Sequence, residues 1–89
     1  MQVRLNVLKD RTVVLRDVEA SLTESDDIRG FKRWDGRFHL SLKQWLVIDE
    51  RYVIELEDGR SAEILLSTIQ MALPGPLVTF RVGEWLTSS

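Results

Sequence analysis

Between residues 29 and 43 the chain gathers Arg29, Lys32, Arg33, Arg37 and Lys43 against one acid, Asp35, with Phe31, Trp34 and Phe38 interleaved. Cations alternating with aromatic rings are the chemistry of single-strand recognition, in which bases stack on the rings and phosphates meet the cations. The same surface suits an acidic peptide. No other stretch offers comparable chemistry. The only histidine is His39 and there is no cysteine, so thiol chemistry and Cys-ligated zinc are excluded. The 14 acids include Asp26-Asp27 and Asp49-Glu50, but neither pair has the spacing of a calcium loop. There is no nucleophile elbow, phosphate-binding glycine loop or dinucleotide fingerprint. A single histidine without a nearby activated Ser or Thr gives no base–nucleophile pair. These residues predict a protein that is not an enzyme and holds no cofactor or metal.

The segment Arg29-Gly30-Phe31-Lys32-Arg33 resembles the Arg-x-x-x-Arg element of the cyclic-dinucleotide-binding PilZ family, whose members are small β-barrels. That family's second element, Asp/Asn-x-Ser-x-x-Gly, is absent from the chain, and no function is carried over from the resemblance.

The elements that would position the basic–aromatic set follow from alternation. Val3, Leu5 and Val7 alternate with Arg4 and Asn6, which predicts a strand over Val3–Leu8. A second strand follows the polar break Lys9-Asp10-Arg11 and runs from Thr12 to Leu22. Val13 and Leu15 differ in parity from Val18, Ala20 and Leu22, so a bulge near Arg16-Asp17 is expected to keep both sets inward. The acidic run Thr23–Arg29 reads as the longest loop.

Two Asp-Gly dipeptides then mark hairpins. A two-residue turn at Asp35-Gly36 pairs Trp34 with Arg37 and places Phe31, Phe38, Leu40 and Leu42 on one face. Lys32, Trp34, Arg37 and His39 then share the other face, with Trp34 and Arg37 as a cross-strand cation–π pair. At Asp58-Gly59 a three-residue loop, Glu57 to Gly59, fits better. It sets Ile54 opposite Ala62 and Tyr52 opposite Ile64, so that Tyr52, Ile54, Leu56, Ala62 and Ile64 share one face.

Gln44–Ile48 reads as a short buried strand or one helical turn. A helix from Ser61 to Ala72 competes with a strand over residues 60–67, and the continuing alternation favours the strand, with a helical turn left open for 67–73. Leu73-Pro74-Gly75-Pro76 is a rigid connection outside any ladder. Leu77–Val82 is the last strand, with Val78, Phe80 and Val82 inward and Glu84-Trp85-Leu86 closing behind it. Residues 87–89 are expected to fray.

The expectation is therefore an all-β chain, one antiparallel barrel or sandwich-like domain of about six short strands over residues 1–89. The formal charge of −2 argues against a generally basic nucleic-acid coat. A protein partner or self-association is expected, because the acidic outer face of the second hairpin (Glu55, Glu57, Glu63) could meet the basic first hairpin. Single-stranded nucleic acid through Lys32, Trp34, Arg37 and His39 is the alternative. No membrane segment is expected, and the missing cysteines point to a reducing cytoplasm.

Overall fold

The computed structural model describes residues 1–41 and 43–86. Six strands follow in chain order: β1 (Gln2–Lys9), β2 (Thr12–Asp26), β3 (Lys32–His39), β4 (Arg51–Leu56), β5 (Ser61–Gln70) and β6 (Leu77–Leu86). All neighbours run antiparallel, and the sheet closes into a barrel in the order β1-β2-β3-β6-β5-β4. Strands β4, β5 and β6 are successive neighbours, while β3 lies beside β6 and reaches β4 only through residues 40–50. That is a Greek key. Closure decides for a barrel over a sandwich, since it leaves each strand two neighbours.

Alternation fills the interior. Leu5 and Val7, Ala20 and Leu22, Phe38, Ile54 and Leu56, Ala62, Ile64 and Leu66, and Val78 and Phe80 are all buried. No charged side chain is buried among the described residues, so apolar burial and packing hold the core.

The β2 bulge is where parity required it. Leu5 pairs with Val18 but Val7 pairs with Leu15, leaving Arg16 and Asp17 against one residue. Asp17 takes a left-handed φ of 52°, and its N–H donates to Asn6 Oδ1 at 2.8 Å. A second irregularity follows, because Leu8 pairs with Val13; Val14 is the extra residue and faces solvent. Two bulges in one strand increase its bend and twist, which helps a six-stranded sheet to close.

The hairpin at Asp58-Gly59 has the expected register: Ile54↔Ala62 and Tyr52↔Ile64. Gly59 N–H donates to the Leu56 carbonyl at 3.0 Å, Leu56 N–H to that of Arg60 at 2.8 Å, and Gly59 sits at φ 94°. This is a type I turn with a glycine bulge.

The first hairpin is different from the expectation. Asp35-Gly36 lies in the middle of β3, where Asp35 pairs with Thr23 and Arg81, and Gly36 with Leu22 and Phe80. A Cβ on Gly36 would fall on the Phe80 ring. The glycine is there to admit a ring from the opposite strand, an aromatic covering a strand glycine. The reversal lies earlier, and Thr23–Asp26 is strand where a loop is predicted. Asp27 N–H donates to the Phe31 carbonyl at 2.9 Å, Gly30 N–H to that of Asp27 at 3.0 Å, and Gly30 has φ 82°. Asp27 Oδ1 also accepts from Arg29 N–H at 2.8 Å and Phe31 N–H at 3.0 Å. With its reversal moved, Phe31 lies on the turn and is exposed, not inward. Leu42, assigned to the same inward set, lies outside the described residues, as do residues 87–89.

Other corrections are smaller. Residues 44–48 form neither strand nor helical turn; Leu46 is buried while Trp45, Val47 and Ile48 are exposed. Val47 N–H donates to the Tyr52 hydroxyl at 3.0 Å, which ties this connection to β4. The strand β5 continues through residues 67–70, in place of the helical turn that the sequence also allows, because Thr68, Ile69 and Gln70 pair with β6.

Candidate functional site

The four residues singled out by sequence do not form one surface. All lie on β3, not on two strands of a hairpin. Arg37 and His39 are exposed and point outward with Arg33 and Asp35; Trp34 shares parity with buried Gly36 and Phe38. Trp34 is half-buried against the core, and its ring meets Trp85 edge-on with centroids 6.0 Å apart. Arg60, not Arg37, stacks over an aromatic here, its guanidinium 5.2 Å from the Trp85 ring centre. Lys32 sits at the far end of β3, its ammonium 3.3 Å from Glu24. The expected Trp34–Arg37 pair is therefore absent, because the two side chains leave opposite faces of one strand.

Arg37 and His39 do meet something else. β2 and β3 are paired only from Ser21↔Arg37 to Asp26↔Lys32. Beyond Ser21 the two strands part. Val18–Ala20 stay paired to β1 alone, while Phe38 and His39 stay paired to β6 alone. The space between the two unpaired edges is a groove of about 860 Å³. Residues Arg16–Ser21 form one wall and Arg37–Ser41 the other, with Gln44, Pro74 and Leu77 beyond them.

The second wall is held in place by the proline-rich connection. Leu40 N–H donates to the Pro76 carbonyl at 2.8 Å, and His39 Nδ1–H donates to the Gly75 carbonyl at 2.9 Å. Gly75 lies so close to Leu40 that a Cβ would overlap the Leu40 carbonyl oxygen. A carbonyl only accepts, so Nδ1 is the donor in this bond.

The charges along the groove are unequal in availability. Asp17 lies 3.1 Å from Arg4. The hydrogen bond and charge of Asp17 push the Arg4 pKa up, and Glu19 and Glu57 add to the effect. Both acids of the β2 wall thus face Arg4. Arg16 and Arg37 take part in no ion pair among the described residues. A smaller depression of about 350 Å³, lined by Arg4, Asn6, Glu55 and Glu57, lies on the other side of Asp17. No three His, Asp or Glu side chains cluster as metal ligands would among the described residues.

Sequence reasoning missed Arg16 and the groove as a whole. The parity change at Arg16-Asp17 marked the bulge, yet nothing local states that β3 leaves β2 there. The fold and site define a small six-stranded Greek-key barrel split along one seam. The chain matches no protein-family model, no curated protein and no solved structure.

Proposed function

We propose that this chain is a non-catalytic binding module that takes an extended polypeptide segment as an added strand in the seam between β2 and β3. The observation that carries this reading is the pair of unpaired strand edges flanking one groove. Unpaired N–H and C=O groups on an edge are a template for another strand, and in β-augmentation they supply affinity while side-chain pockets supply selectivity. The groove is preformed, with its β3 wall fixed to Gly75-Pro76, so little ordering is lost on binding.

The nucleic-acid alternative has less support, since its stacking platform needs Trp34 beside Arg37 on one exposed face. Self-association would use the same β2 edge. The test is selection of extended peptides on the folded protein, followed by amide NMR mapping of the enriched sequences. Shifts at residues 16–21 and 37–41, with slowed amide exchange over 16–20, support strand addition. Enriched peptides that map away from the seam overturn it.

A further inference from the structure

We infer that copies of this chain associate head to tail, the arginine-rich face of β3 and β6 on one copy meeting the carboxylate-rich face of β1 and β4 on the next. This contact is separate from strand exchange at the β2 edge and leaves the seam open. The acidic face is built around one cation. Asp17, Glu55 and Glu57 line a depression of about 350 Å³ together with Arg4 and Asn6. Arg4 lies 3.1 Å from Asp17. The hydrogen bond and charge of Asp17, and beyond them the charges of Glu19 and Glu57, favour its protonated form. One guanidinium thus stands among four carboxylates, an excess of three negative charges. Glu63, grouped with Glu55 and Glu57 by sequence, is instead held by Arg51 at 3.4 Å.

The basic face is the inverse of this. Arg33, Asp35 and Arg37 leave β3 on its outer side, because alternate residues of a strand share a face. The β6 strand sets Arg81 opposite Asp35 and Thr79 opposite Arg37, so Arg37 and Arg81 are diagonal neighbours within reach of each other's long side chains. Asp35, 3.9 Å from Arg81, is one carboxylate among three guanidinium groups, an excess of two positive charges. Glu84 lies further along β6, opposite Glu63 on the β5 side.

Closure puts the two faces on opposite sides of the barrel. In the ring β1-β2-β3-β6-β5-β4 each strand has its counterpart three places round, so β1 lies across from β6 and β4 across from β3. Patches of opposite sign attract and orient one another. A two-fold contact uses the same surface on both subunits, and here it would set arginines on arginines or carboxylates on carboxylates. Copies stacked in one direction match both faces at once. A second copy is therefore the occupant, since it carries the complement of each face, and the contact is heterologous and continues past two chains.

The experiment is sedimentation equilibrium of the full chain from about 10 μM to about 1 mM, the range of weak association, at low and moderate salt. The weight-average mass is expected to climb past two chains at low salt and to return to the 10.3 kDa monomer as salt screens the faces. Two double variants carry the test, Glu55→Gln with Glu57→Gln and Arg33→Gln with Arg81→Gln. These four positions lie outside the residues that line the seam, and unchanged amide dispersion shows that each variant is folded. Each variant alone should associate about tenfold more weakly than the parent chain. Mixed one to one, the two should form a complex that stops at two chains, since each keeps one intact face. A parent chain that stays monomeric at every concentration, or whose mass stops at two chains, overturns the head-to-tail contact. Association that resists salt, or that both variants retain, overturns it as well.

Discussion

The tripeptide Asp-Gly-Arg occurs twice, at 35–37 and 58–60, and the two copies do opposite work. At 58–60 the glycine is exposed at a hairpin tip with φ 94°, and a Cβ there would touch nothing. At 35–37 the glycine is buried in mid-strand beneath Phe80. One glycine is needed for its backbone angle, the other for its missing side chain. The true counterpart of the Glu57-Asp58-Gly59 loop is Ile28-Arg29-Gly30, with the same pair of backbone hydrogen bonds and a positive-φ glycine in third place. What defines a turn is a position in a hydrogen-bonded frame, and a dipeptide alone does not establish it.

Substitutions can break or sharpen this contrast. The largest effect is expected from Phe80→Ala, which empties the space over Gly36 and should cost about 4 kcal/mol in chemical denaturation. A loss below about 1 kcal/mol would remove Phe80 as the reason for the buried glycine. Gly36→Ala should cost about 2–3 kcal/mol, since its methyl overlaps a fully buried ring. Combining it with Phe80→Leu should cost less than the two changes added, because the ring is what the methyl strikes. Strict additivity in that cycle would break the pairing.

Gly59→Ala is expected to cost only about 1 kcal/mol, the strain of a left-handed alanine in open space. Gly59→Asn should be milder still, whereas Gly36→Asn should not fold stably. If both glycines respond alike to Asn, the distinction between angle and space is wrong.

A third reversal, at Asp10-Arg11, sharpens the same point from the other side. Both residues have positive φ, 51° and 67°, in the two-residue turn that favours Asn-Gly or Asp-Gly. Arg11→Gly should therefore stabilise the chain by about 0.5–1 kcal/mol, read as a higher melting temperature. A destabilised variant would show that Arg11 is held by something other than its backbone.

The smallest effect concerns Asp58. Its carboxylate accepts from Arg60 N–H at 2.9 Å and from Arg60 Nε at 2.8 Å. The backbone hydrogen bond, then the side-chain bond and charge of Arg60, hold its pKa below the usual carboxylate range. A lowered folded-state pKa means stability that is present above the ordinary carboxylate pKa and lost as pH falls through the lowered one. In Asp58→Asn that slight acid-side loss should vanish from the pH–stability curve.

Much of the barrel is legible in the residues themselves. Alternation in Val3–Leu8, the parity switch in β2 and the register of the Asp58-Gly59 hairpin all follow from one rule, that a strand turns alternate side chains to the core. These are statements about neighbours in sequence, and local geometry suffices to make them. The reversal at Asp27–Gly30 was missed although it carries Asp first and Gly fourth, because the acidic run before it resembles a loop until β3 is present to pair with Thr23–Asp26.

The tertiary structure alone decided where β3 begins, which neighbour each edge has, and where β2 and β3 part. Gly36 is placed by Phe80, distant in sequence. Trp34 turns inward because β3 continues unbroken through Asp35-Gly36, and Arg16 and Arg37 line one seam that exists only once β1 and β6 have each taken one strand. Such pairings are non-local, and no propensity within a short window encodes them. Periodicity fixes which side of a strand is apolar; closure of the barrel decides which edges are left unpaired.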